Sequence, residues 1–190
     1  MDISDSELIK SILSGNQDAF SELVSRYKKL VYSVIFNFIN DKEELPDICQ
    51  EVFIRIYRSL GSYNADYKFA TWTIKITTNY CLDRLRRHPI KTAPLEDAFE
   101  IASGEGTPED QYLAREKADR IRRVVNELPE KYRVPLILFH QNGVSYEEMA
   151  KVLNEPMTII KNRLYRARLM LREALVQSGK EGVQSVRNEL

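Results

Sequence analysis

The sequence predicts an all-α protein: two small helical domains joined by a flexible acidic linker. Three observations lead there. Apolar residues recur at three- and four-residue spacing almost throughout, and no stretch alternates apolar and polar residues as a half-buried strand would. Between residues 89 and 110 that periodicity lapses, and Pro94, Gly104, Gly106 and Pro108 mark a connector. Charge is partitioned at the same place. The net charge of the 190 residues is zero, yet residues 1–88 carry 12 basic and 12 acidic side chains, residues 89–110 carry 1 and 6, and residues 111–177 carry 13 and 8. A basic block behind an acidic connector is a pattern that whole-chain charge hides.

The elements follow in order. A short helix is expected over 6–14, ended by Gly15. Asn16 can cap a long helix reaching Asn40, with Phe20, Leu23, Val24, Tyr27, Val31, Val34 and Phe38 on its apolar side. A third helix covers 46–60 with Ile48, Val52 and Ile56 on one face, and Gly61 closes it. Residues 62–70 read as a polar and aromatic loop before a helix over 71–87, which stops at His88-Pro89. After the connector, periodicity returns at 112–128 and again at 130–140. Residues 178–190 are polar, balanced in charge and without an apolar stripe, so they are expected to form a disordered tail.

Composition bounds the chemistry. Cys49 and Cys81 each lie in helical pattern without another Cys or a His at ligand spacing, as reduced core thiols would. The acidic start Met1-Asp2-Ile3-Ser4-Asp5 has no apolar run of a signal peptide, and no stretch approaches the roughly 18 apolar residues that span a bilayer, so the expected compartment is the cytoplasm. Asp41, Glu43, Glu44, Asp47 and Glu51 read as a solvated helix start, favourably placed in its dipole, rather than a metal site. His88 and His140 have no nucleophile or metal partner at motif spacing, and Gly104-Glu105-Gly106 lacks the Lys-Ser/Thr pair of a phosphate loop. Neither a catalytic centre nor a metal, cofactor or small-molecule substrate is expected.

Two segments point to nucleic acid. From Ser145 to about Leu175 the chain reads as a helix-turn-helix. Ser145 and Glu148 form a capping box, Met149, Val152 and Leu153 supply a buried side, and Asn154-Glu155-Pro156 forces a turn. A second helix starting near Thr158 has an apolar stripe of Ile160, Leu164, Ala167, Leu171 and Ala174. Its other faces carry Lys161, Asn162, Arg163, Tyr165, Arg166, Arg168 and Arg172, a set suited to phosphates and base edges in a major groove. A solvated amphipathic helix has a similar pattern; the capped helix and tight turn before it favour DNA. Upstream, Tyr63, Tyr67, Lys68, Phe69, Trp72, Lys75, Tyr80, Arg84, Arg86 and Arg87 interleave rings and cations. Single-stranded nucleic acid asks for that combination, because cations track the backbone and each stacked base contributes about 1–3 kcal/mol. Trp72, one turn before Ile76, is expected in the core, so the loop rings Tyr63 and Tyr67 are the better stacking platforms.

These residues carry a resemblance. Asp47-Ile48-Cys49-Gln50-Glu51-Val52-Phe53-Ile54-Arg55, then Phe69-Ala70-Thr71-Trp72, Asn79, Asp83 and Arg86-Arg87, resemble region two of the extracytoplasmic-function sigma factors of bacterial RNA polymerase. Leu128-Pro129-Glu130-Lys131-Tyr132-Arg133, Ser145-Tyr146-Glu147-Glu148-Met149-Ala150 and the run from Pro156 to Arg168 resemble region four of the same family. The resemblance spans roughly residues 16–176, with its two motif sets in the family's order. It implies region two over 1–88, a linker over 89–110 that threads polymerase channels, region four over 111–177 and the tail beyond. Asp47, Gln50, Glu51, Phe53 and Arg55 would dock on core RNA polymerase, at the beta-prime clamp, with the beta subunit a further contact. Tyr63, Tyr67, Lys68, Phe69, Thr71, Trp72 and Asn79 would hold a base flipped from the minus-ten element, and Arg84, Arg86 and Arg87 would follow upstream phosphates. Thr158, Lys161, Asn162, Arg163, Tyr165 and Arg166 would read the minus-thirty-five element of promoter DNA. An anti-sigma factor, often membrane-bound in this family, is the further partner implied.

The chain departs from the family's pattern twice. Leu45-Pro46-Asp47 stands where Ala-Glu-Asp is frequent; a proline suits a first helical turn, so the docking helix is expected to start late or to kink. Thr158-Ile159-Ile160 stands where Gly-Thr-Val is usual, which moves a hydroxyl to residue 158, where it could cap the recognition helix. Two other classes are open to the residues alone. A helix-turn-helix regulator acting without polymerase accounts for the rear segment but leaves the Tyr63–Arg87 cluster without a purpose. An enzyme acting on nucleic acid would need metal chemistry from the acidic cluster at 41–51.

Overall fold

The computed structural model describes residues 3–39, 41, 43–87 and 107–188. Most of the connector, 89–106, lies outside them, as does His88, where α4 was expected to stop. The described residues form α-helices and one 3-10 turn, with no strand among them. In the front half, α1 (Asp5–Leu13) begins at a Ser4–Glu7 capping box, and α2 (Gln17–Phe38) is capped by Asn16, whose side chain accepts from the Asp18 and Ala19 amides. Gly15 joins them at φ 101°, a left-handed conformation that costs glycine little. α3 (Leu45–Ser59) runs into the 3-10 turn Leu60–Ser62, and α4 (Phe69–Arg87) follows the loop. α2 packs against α1, α3 and α4. Leu23, Val31, Val34 and Ile35 of α2 are fully buried, as are Val52 and Ile56 of α3 and Cys81 of α4. Each such aliphatic side chain stabilises the fold by about 1.5–3 kcal/mol through burial.

The rear half has α5 (Pro108–Glu127), α6 (Glu130–His140), α7 (Tyr146–Leu153) and α8 (Met157–Asn188). α5, α6 and α7 all pack on α8. The stripe expected on α8 is its buried face: Ile160, Leu164 and Ala167 are wholly inaccessible, beside Met149 of α7 and Leu138 of α6. No helix among the described residues is long and apolar enough to cross a membrane.

Four expectations need correction. The connector ends earlier than residue 110, because Thr107 and Asp110 form a capping box and Pro108 occupies the first turn of α5. α3 starts at Leu45, with Pro46 accommodated in its first turn, where a missing N–H costs no intrahelical bond. Residues 178–188 continue α8 instead of forming a disordered tail; a helix already nucleated by its packed first half propagates at one hydrogen bond per residue. The two halves also touch. α7 lies against α4, and the end of α2 meets α6.

Candidate nucleic-acid interface

Two surfaces carry the groups singled out by the sequence. The first is the loop after the 3-10 turn together with α4. Tyr63 is half-buried: its ring meets Phe69 edge-on at 5.3 Å and Trp72 at 5.4 Å, and its hydroxyl donates to the Tyr67 carbonyl. Desolvation raises its phenol pKa. Phe69 is only 2% exposed and also meets Tyr27 at 4.9 Å. It is therefore the pin that holds the loop to α2, and its ring cannot stack on a base, contrary to the expectation. Trp72 packs partly buried against the core, as its spacing predicts. Tyr67 is the exposed ring, at 45%. Beside it, the Lys68 ammonium is largely in solvent. Asn79 is exposed on α4, and so are Arg86 and Arg87. Thr71 is 7% exposed, and its hydroxyl donates to the Glu148 carboxylate at 3.1 Å. Arg84 is tied to Glu44 at 2.7 Å, which fixes its guanidinium beside the start of α3.

The expected docking residues divide in the same way. Asp47, Gln50 and Glu51 are exposed on α3. Phe53 is 7% exposed and belongs to the core, so its ring is not on the docking face. Its neighbours explain this: on α3, Cys49, Val52, Phe53 and Ile56 share the buried side. The Arg55 guanidinium sits 4.6 Å above the Tyr80 ring and bridges α3 to α4.

The second surface is the helix-turn-helix. The Ser145–Glu148 capping box forms as expected, and Asn154 makes the turn in the left-handed region at φ 52°. α8 starts at Met157. Thr158 is thus inside the first turn and does not cap it; the Ile159 and Ile160 amides donate to the Pro156 carbonyl. On the solvent side, Thr158, Lys161, Asn162, Tyr165 and Arg166 are exposed, with Tyr165 at 68%. Arg166 hydrogen-bonds the Tyr132 phenol and lowers its pKa below the ordinary tyrosine value. Arg163 differs: it pairs with Glu155 at 2.8 Å and braces the turn. Arg168 reaches back to the Tyr146 hydroxyl at 3.2 Å.

Sequence reasoning missed Ile159, 39% exposed among the polar groups of the α8 surface, and Lys151, whose ammonium lies 4.5 Å over the Tyr67 ring. The exposed Ile159 was legible from its place off the buried stripe. Lys151 had no local signal, because its partner is 84 residues away. Among the described residues no group of three His, Cys, Asp or Glu side chains could hold a metal ion. The geometry offers exposed cations, amides and rings to a polyanion.

Comparison with known proteins agrees in both halves. The family model for Sigma-70 region 2 matches residues 23–89, and that for Sigma-70 region 4 matches residues 118–171. The chain is 34% identical to the ECF RNA polymerase sigma factor SigW of Bacillus subtilis over 179 residues, covering 88% of this chain and 94% of that protein. It is 32% identical to the ECF RNA polymerase sigma-E factor of Escherichia coli over 175 residues, covering 87% and 91%. Among solved structures, CnrH in complex with the cytosolic domain of CnrY superposes with a TM-score of 0.65 at 24% identity, covering 90% of this chain and 96% of that one. The sigma factor RpoE of Bartonella quintana, in complex with the anti-sigma factor NepR, gives 0.61 at 18% identity, covering 82% and 96%. At those identities the likeness is one of fold.

Proposed function

We propose a division of labour within this chain, which belongs to the extracytoplasmic-function sigma factors and directs core RNA polymerase to promoters. Residues 1–88 capture an opened strand, and residues 111–177 grip intact duplex upstream. The observation that carries this is the α8 surface: Lys161, Asn162, Tyr165 and Arg166 stand exposed opposite a stripe of fully buried Ile160, Leu164 and Ala167. A helix so held presents donors to a major groove while its core face keeps the register. In the front half, Tyr67 with Lys68 and Asn79 supplies a ring, a cation and an amide for an unstacked base, and Arg86 and Arg87 supply phosphate contacts. Asp47, Gln50 and Glu51 form the exposed acidic and polar edge of α3 through which the polymerase is bound. Linking two weak DNA contacts raises effective concentration, which is why a chain of zero net charge suffices.

The chain is a polymerase subunit with no active site of its own. Its working compartment is the cytoplasm, where polymerase and promoters are. An anti-sigma factor is its inhibitory partner, and a membrane-bound one would hold the chain at the membrane's inner face. The complexes of CnrH with CnrY and of RpoE with NepR support a partner of that kind for this fold. Run-off transcription with purified core polymerase on a pool of promoters from the source genome tests the reading. Discrete transcripts from defined starts are expected. Duplex binding without core enzyme, and no start-specific transcript with it, would favour a polymerase-independent regulator.

A further inference from the structure

Arg166, assigned above to the duplex, does not stand free on α8. Its guanidinium donates to the phenol oxygen of Tyr132, which lies in the first turn of α6. Tyr132 is well anchored. Its amide donates to the Pro129 carbonyl at 2.8 Å, its ring packs against the core, and buried Leu128 and Val134 stand on either side of it in the chain. The Lys131 ammonium lies 5.0 Å over that ring. α6 and α8 are packed together, so the phenol is held at a fixed place beside the duplex-reading surface. Arg163, one turn earlier, offers the contrast: its partner is the Glu155 carboxylate, at 2.8 Å.

We propose that Tyr132 is a positioning residue for base reading: its hydroxyl orients the Arg166 guanidinium and so sets specificity at one base pair of the upstream element. An exposed arginine otherwise spreads over many rotamers, whereas a two-pronged contact to a guanine edge needs one planar orientation. A phenol suits this task better than a carboxylate. It accepts one of the five guanidinium N–H donors and leaves the others for a base. It also adds no negative charge, so Arg166 keeps its attraction for DNA, while Glu155 neutralises Arg163. Lys131 places a second cation at the same ring. Orienting the guanidinium before DNA arrives removes an ordering cost from the complex. This rests on the duplex-reading assignment of α8.

The test uses the full chain with core polymerase and a panel of fluorescent promoters in which each base pair of the upstream element is varied singly. Tyr132→Phe keeps the ring, its packing and the Lys131 contact, and removes only the hydroxyl. At the base pair where Arg166→Ala acts, it should lower discrimination about threefold to tenfold, the worth of one hydrogen bond. Other positions should bind as in the wild type. Because no phosphate contact is lost, the dependence of affinity on salt should not change. In an Arg166→Ala background, Tyr132→Phe should have no further effect, since it works only through that side chain. An even loss across the panel, an additive loss in that background, or an unchanged profile would overturn the positioning role. Arg166→Ala alone separates this from the reading beneath it. If that variant leaves the panel unchanged, the duplex-reading assignment fails, and the positioning role fails with it.

Discussion

Arg163 and Arg166 lie one helical turn apart on α8, and their surroundings give them different work. Arg163 braces Glu155 in the turn, whereas Arg166 stands exposed beside Tyr132. Arg166→Ala is expected to cost about 1–3 kcal/mol at one base position of the upstream element, measured on a panel of single-base promoter variants. Arg163→Ala should instead lower the melting temperature and weaken all sequences alike. Cys81 is fully buried, and burial pushes its thiol up to about 12; Cys49 is raised for the same reason. Iodoacetamide at pH 8 should therefore leave both unmodified in native protein and alkylate both in urea, as mass spectrometry would show. Glu148 is a third case. Burial pushes its carboxyl up, but the amide and hydroxyl of Ser145, then Thr71 and Lys68, outweigh this and hold it below the ordinary glutamate value of 4.5. A depressed folded-state pKa means that its stabilisation is complete above the unfolded value and is lost as pH falls through the folded one. Urea midpoints should drop less between pH 6 and pH 3 in Glu148→Gln than in the wild type. Which of the singled-out side chains are exposed was half legible at this scale. Residue type and spacing marked Tyr67, Lys161, Asn162 and Arg166, all exposed. They could not tell Phe69 from a surface ring, because a partner that buries it, Tyr27, comes from another helix, whereas the spacing of Phe53 with Cys49, Val52 and Ile56 already put it on the buried side of α3.

At the scale of elements, local chemistry announced itself wherever a cap or an apolar stripe decided the outcome. Asn16 starts α2 and Ser145 starts α7, as their side chains require. The α6 span Glu130–His140 follows its periodicity even though Pro135 sits inside it. Ser145→Ala should remove about 0.5–2 kcal/mol of stability, read from thermal unfolding, since the capping box satisfies two helix-end donors. The misses have physical causes. Pro108 signals both a loop and a first helical turn, and only Thr107 with Asp110 decides for the helix. Thr158 looked like a cap, but the Pro156 carbonyl already accepts the first bonds of α8, which leaves Thr158 within the turn. The continuation of α8 to Asn188 has no apolar signature in the sequence, because a helix extending from a packed one needs none.

For the whole molecule, the all-α class was legible, and so were the two segments that expose cations, amides and rings, because periodicity and charge partition are properties of single segments. The closure of one half on the other was not. It depends on pairs such as Thr71 with Glu148 and Tyr67 with Lys151, separated by 77 and 84 residues, that no local pattern links. The most direct measurement is permanganate reactivity of unpaired thymines on a promoter with core polymerase, run beside protection of the upstream duplex. Tyr67→Ala should keep the upstream protection and lose the reactive bubble, while Arg166→Ala should weaken protection first. A Tyr67→Ala chain that opens the promoter as well as the wild type would contradict the assignment of strand capture to the front half.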